Sequence, residues 1–82
     1  MALLKKFEDR PSDVTKLHGP VDAGCRWFDV DGRRVLQVDT YGSAHRKQPG
    51  SISQSIQLDE DGARQMLSLI SRAFPGLARE QL

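Results

Sequence analysis

The chain has 82 residues, 38 % of them hydrophobic, with one cysteine and a formal net charge of +1. That length holds one domain with a marginal core, and a lone Cys25 excludes an intramolecular disulfide to reinforce it. The near-neutral balance excludes a strongly basic nucleic-acid binder, and no stretch approaches the roughly 20 apolar residues of a membrane-spanning helix.

A single cysteine fits a reducing compartment, where Cys25 is expected to be a small buried hydrophobe. "MALLKKF" offers no apolar signal region, and the chain contains no Asn that could accept a glycan. The expected location is cytoplasmic, with no membrane contact. Pairing with a second copy is the remaining way to enlarge the core, so a homodimer is expected.

Residues 1–24 show little periodicity. Charges are mixed with two prolines and two glycines, and the segment reads as a flexible N-terminal arm, an edge strand at most. Leu3, Leu4 and Phe7 are its apolar residues, able to form a short helical turn or pack back on the body.

Residues 25–76 form the single expected domain. "CRWFDVDGRRVLQVDTY" places two runs rich in β-branched and aromatic residues around Asp31-Gly32. That dipeptide is a hairpin cue because both residues tolerate positive φ. The register depends on the loop length; the reading favoured here puts Phe28, Leu36 and Val38 on one buried face. The loop "GSAHRKQPG" follows, and then "SISQSIQL" alternates. Ile52, Ile56 and Leu58 share a face with Gln54, and Ser51, Ser53, Ser55 and Gln57 lie opposite.

A helix closes the pattern. Asp59 suits an N-cap, and Glu60 and Asp61 suit the positive end of the helix dipole. Ala63, Met66, Leu67, Ile70, Ala73 and Phe74 recur at helical spacing, and Leu69 widens the stripe. Pro75-Gly76 stops it, leaving 77–82 as a C-terminal tail. The order β-β-β-α predicts an α+β domain: a curved antiparallel sheet of three to four strands packed against one C-terminal helix.

The residues offer little to catalysis. His18 and His45 both fall in segments read as loops, where a general base has no support. Ser43, His45 and Asp39 make a nucleophile set on paper only, since such sets are defined by geometry. One Cys and two distant His lack zinc spacing, no calcium-loop pattern occurs, and no Gly-rich phosphate loop precedes a helix. The chain reads as no enzyme, with no metal and no small-molecule cofactor.

A sheet with an unburied face beside a basic loop is one arrangement that holds single-stranded nucleic acid. Bases stack on aromatic side chains while Arg and Lys follow phosphates. Residues 25–50 carry Arg26, Arg33, Arg34, Arg46 and Lys47 against Asp29, Asp31 and Asp39, the one segment with a basic excess. Trp27 and Tyr41 are candidates for stacking. Arg26, Arg33, Arg34, His45, Arg46 and Lys47 are candidates for backbone contact, and Ser53, Ser55 and Gln57 for hydrogen bonds to phosphate, sugar or base edges. The same residues admit plainer roles: Trp27 as a sheet-packing residue, Tyr41 as a hairpin anchor, and the Ser/Gln row as the wet side of a sheet.

In order of features, Arg26 to Phe74 resembles the single-stranded-DNA-binding transcriptional positive coactivator family. The pieces that carry the likeness are "FDVDGRRVLQVDTYG", "RKQPGSISQSIQL" and "DEDGARQMLSLISRAF". This chain departs from the family in having few lysines and a longer, more polar third strand. The resemblance implies a homodimer built partly by its helices; in this chain Met66, Leu67, Leu69, Ile70 and Phe74 are the helix residues expected to serve as core or dimer contacts. It also implies single-stranded DNA held by sheet and loops, with Arg34, Tyr41, Arg46 and Lys47 as contacts. The other function the pattern permits is a small protein-interaction module or accessory subunit, docking a partner through the sheet face or the apolar helix stripe.

Overall fold

The computed structural model describes residues 1–42 and 52–77. Strand β1 is Ala2–Leu3, β2 is Ala23–Val30, β3 is Arg33–Tyr41, β4 is Ile52–Leu58, and helix α1 is Glu60–Ala73. They form one four-stranded sheet, in the order β1-β4-β3-β2, followed by the helix. The architecture is α+β. The sheet is mixed: β2, β3 and β4 are antiparallel, whereas β1 runs parallel to β4.

The β2–β3 turn is two residues long, with Asp31 at φ 51° and Gly32 at φ 76°. Such a left-handed pair matches the twist of the flanking strands. It pairs Val30 with Arg33, and so Phe28 with Val35 and Trp27 with Leu36. This corrects the expected register: Phe28 faces away from Leu36 and Val38, because a two-residue loop leaves no bulge to shift it.

Two faces follow. The Leu36 face carries Cys25, Trp27, Leu36, Val38, Gln54, Ile56 and Leu58. The Asp39 face carries Arg26, Phe28, Val35, Gln37, Asp39, Ser55 and Gln57. A register shift opposite Thr40 and Tyr41 pairs Tyr41 with Ile52. The bulge moves Ile52 off the Ile56–Leu58 side and onto the Asp39 face, against the strict alternation expected for this strand. Cys25 is exposed at the outer strand and not buried as expected.

Helix α1 begins where the sequence places it. Asp59 caps it, accepting the Gly62 N–H at 2.9 Å, with Glu60 and Asp61 in the first turn. Phe74 ends it, donating its N–H to Ile70 just before Pro75. Gly62 and Ala63 bring the helix against Leu58, on the Leu36 face.

The N-terminal segment is more engaged than a free arm. After β1, the Leu4 N–H reaches the Gln57 carbonyl. The chain then passes along α1, where the Gln65 side chain accepts from the Phe7 N–H and donates to the Lys5 carbonyl. Asp9 meets Arg72 near the helix end. Residues 8–21 are exposed throughout.

Among the described residues only Val35 and Leu58, 5 % and 7 % exposed, are buried hydrophobics. The radius of gyration is 15.1 Å, against about 12 Å for a compact chain of this length. The accessible surface is 7362 Å², against roughly 4,900 Å² for a compact monomer of the same mass. The exposed stretch 8–21 accounts for part of that excess. Exposed apolar side chains add to it: Trp27, Leu67 and Phe74 are each more than 60 % exposed.

Candidate nucleic-acid interface

The centre of the Asp39 face is a hydrogen-bonded row that crosses three strands. Asp39 on β3 is fully buried, with 0 % exposure. Its carboxylate accepts from the Ser55 hydroxyl on β4, from Gln37 Nε2 at 2.8 Å, and from Arg26 Nη2 on β2 at 2.9 Å. Gln57 Nε2 in turn donates to Gln37 Oε1 at 2.9 Å. The hydrogen bonds from Ser55 and Gln37, helped by the Arg26 charge, hold the Asp39 carboxyl below its usual pKa despite the opposing effect of burial.

An ionised carboxylate only accepts hydrogen bonds. Asp39 therefore decides how both amides point: Gln37 must present its NH₂ to Asp39 and its carbonyl to Gln57. Gln57 is then left with its own carbonyl oxygen directed outward. Arg26, half-exposed at 56 % of its side chain, has no second hydrogen-bond partner among the described residues. The surface thus offers a fixed guanidinium and oriented amides over a concealed charge. A cleft of about 350 Å³ opens above it, lined by Met1, Ala2, Leu3, Gln37, Ile52, Ser55 and Gln57.

Tyr41 closes one end of the face, its hydroxyl lying over Gly24 on the neighbouring strand. At the other end Lys5, at 2.7 Å, and Arg33, at 3.5 Å, converge on Asp59. The Lys5 hydrogen bond and the Gly62 N–H lower the Asp59 pKa.

The structure therefore gathers Arg26, Arg33, Tyr41, Ser55 and Gln57 on one side of the sheet. Trp27 and Arg34 are on the other. Trp27 shares the Leu36 face, and Arg34 is engaged by Asp29 at 3.0 Å, which lowers the pKa of Asp29 and raises that of Arg34. Ser53 lies within the bulged end of β4. His45, Arg46 and Lys47 lie outside the described residues, in the segment that joins Tyr41 to Ile52. Ser43 lies there too, and Asp39 is already engaged by Ser55, Gln37 and Arg26. No group of three His, Cys, Asp or Glu side chains among the described residues is placed to hold a metal ion. No helix among them is long and apolar enough to cross a membrane.

Sequence reasoning passed over Gln37 and weighed Asp39 only as part of a nucleophile set. Both share parity with Tyr41 on β3 and sit opposite the Ser/Gln row of β4, a polar pairing readable once the hairpin register is fixed.

The helix stripe divides. Met66 and Leu69 are half-buried, Leu69 beside Phe7 of the arm, whereas Leu67, Ile70 and Phe74 are exposed. With Ala63 these three fall at i, i+4, i+7 and i+11, so they continue one line along the helix. That line starts in a cleft of about 480 Å³ between Ala63, Leu36 and Leu58.

No protein-family model, curated protein or solved structure matches the chain.

Proposed function

We propose that this protein is a non-catalytic, homodimeric nucleic-acid-binding domain that takes single-stranded DNA across its Asp39 face, as an accessory factor in transcription or DNA processing. The observation that carries the reading is the row Arg26–Asp39–Gln37–Gln57 with Ser55, which fixes polar side chains from three strands on the face turned away from the helix. Fixed donors and acceptors of this kind suit base edges and sugar, while Arg26, Arg33 and the basic residues Arg46 and Lys47 suit phosphate. Tyr41 is the stacking residue on that face.

The test is fluorescence anisotropy with a labelled single strand of ~20 nucleotides and its duplex, across a salt series. Binding should favour the single strand and weaken with salt. Arg26→Ala should lower the slope of log affinity against log salt by about 1. Arg34→Ala, on the opposite face, should leave affinity and slope unchanged. Flat traces at low salt with micromolar protein would overturn the reading.

A second reading has its own support. The exposed line Leu67, Ile70 and Phe74 suits a protein-interaction module, in which an amphipathic partner helix lies along it. Binding of a partner protein by a chain that stays monomeric and ignores nucleic acid would favour that module.

A further inference from the structure

Among the described residues, no strand pairs with the outer edge of β2. β2 is the last strand of the sheet, eight residues long and exposed at every position except Gly24. The two-residue turn makes Val30 and Arg33 a hydrogen-bonded pair, so Phe28, Arg26 and Gly24 also direct their backbone groups to β3. The Asp22 carbonyl, which accepts from the Tyr41 N–H at 3.2 Å, continues that series. Cys25, Trp27 and Asp29 therefore aim their N–H and C=O groups outward. Natural edges are shielded by proline, lysine, bulges or a covering segment. β2 has no proline and no lysine, and its pairing with β3 runs without a bulge.

We infer that two copies of this chain join edge to edge through antiparallel pairing of β2 with the β2 of the second copy, centred on Trp27, so that the two sheets become one. The inference rests on the self-association proposed above and is independent of the nucleic-acid reading.

Three features select a second copy and this register. Residues directly opposite one another in a sheet share a face, so a two-fold axis must pass through one residue position. Centring on Arg26 would set two guanidiniums against each other. Centring on Phe28 would leave Trp27 opposite Asp29. Centring on Trp27 makes the outward backbone of Trp27 bond its own counterpart, pairs the indoles, sets Arg26 opposite Phe28, and keeps like charges apart. The second feature is need: Trp27 is 67 % exposed and Phe28 37 %. The third is closure. A two-fold perpendicular to the sheet keeps both Asp39 faces on one side and both helices on the other, so the contact is isologous and ends at two chains.

Two measurements on the full chain decide it. Analytical ultracentrifugation of the wild type should give twice the 9.2 kDa chain mass. Trp27→Lys, which places like charges at the axis, should return the monomer while circular dichroism stays unchanged. In the second, Asp29→Cys brings a new thiol opposite the native Cys25 of the other copy. A hydrogen-bonded pair has Cα atoms about 5.5 Å apart, within disulfide range. Within one chain the two positions are four residues apart on an extended strand, beyond that range. Mild oxidation of Asp29→Cys should give a covalent dimer, and the wild type should not. A wild type that is monomeric at tens of micromolar overturns both the pairing and the self-association. A dimer whose Asp29→Cys form does not cross-link, or that survives Trp27→Lys, overturns the β2 pairing alone and moves the contact elsewhere, to the helix line first.

Discussion

Asp39 holds together the polar face of a chain with very little apolar core. Its carboxyl is lowered in the folded state chiefly by Ser55 and Gln37. A lowered folded pKa means that the unfolded chain binds the proton more tightly, so the contribution to stability is complete above the ordinary aspartate pKa of about 3.9. It is lost as pH falls through the lowered value. Asp59, shifted in the same direction by Lys5 and Gly62, adds to the same window. Thermal melts should therefore be flat between about pH 7 and 5 and should drop below about pH 4. Asp39→Asn should melt lower at pH 7, on the order of 10 °C lower, and show a shallower acid drop, because one of the titrating carboxyls is gone. An unchanged acid limb in Asp39→Asn would mean that the network does not hold the charged form. The same variant frees Gln37 and Gln57 to turn over, since Asn offers a donor as well as an acceptor. Under the proposed function it should lower affinity for single strands while the salt slope stays, because Arg26 keeps its charge.

Among the elements, the arm and the helix depend on one glycine. A Cβ built at Gly62 would lie 2.9 Å from the Leu4 carbonyl oxygen and 3.4 Å from Leu58 Cδ2. Gly62→Ala would gain about 1 kcal/mol of intrinsic helix preference, but the Leu4 carbonyl is backbone and must move. The expected result is release of the arm: faster hydrogen exchange at the Leu4 N–H bonded to Gln57, and faster proteolysis within residues 1–9, with exchange in β3 unchanged. Protection of Leu4 at the wild-type level would show that the arm does not depend on this close approach. The elements themselves were largely legible in the sequence. Asp31-Gly32, the Asp59 cap and the Pro75 stop are local signals, and they mark the hairpin turn and the two ends of the helix. The mutual placement was not. Whether Phe28 or Trp27 joins Leu36 turns on a single residue of loop length, and the bulge that carries Ile52 onto the polar face has no local signature. The parallel pairing of β1 is a contact made across more than 50 residues of chain, which no window of neighbouring residues contains. The polar row shares this limit: Arg26, Asp39 and Ser55 become one site only when two registers are known.

At the scale of the molecule, the sheet and helix do not close on each other. Among the described residues, Val35 and Leu58 are the buried hydrophobics, while the line from Ala63 to Phe74 and the outer half of the Leu36 face stand open. Under the proposed self-association, stability depends on protein concentration. For two folded copies in equilibrium with two unfolded chains, each tenfold rise in protein concentration adds about 1.4 kcal/mol per dimer. A unit of 150–250 residues shifts by roughly 2–4 °C per kcal/mol, so the melting temperature should climb about 3–6 °C per decade of concentration. Trp27→Lys should melt lower and lose that dependence, since its two unfolded chains come from two separate folded ones. A wild-type melting temperature that stays constant from 1 to 100 micromolar would mean that the open apolar surface is tolerated by a monomer. That surface would then be free for a partner of another kind, which is the condition under which the interaction-module reading gains over nucleic-acid binding.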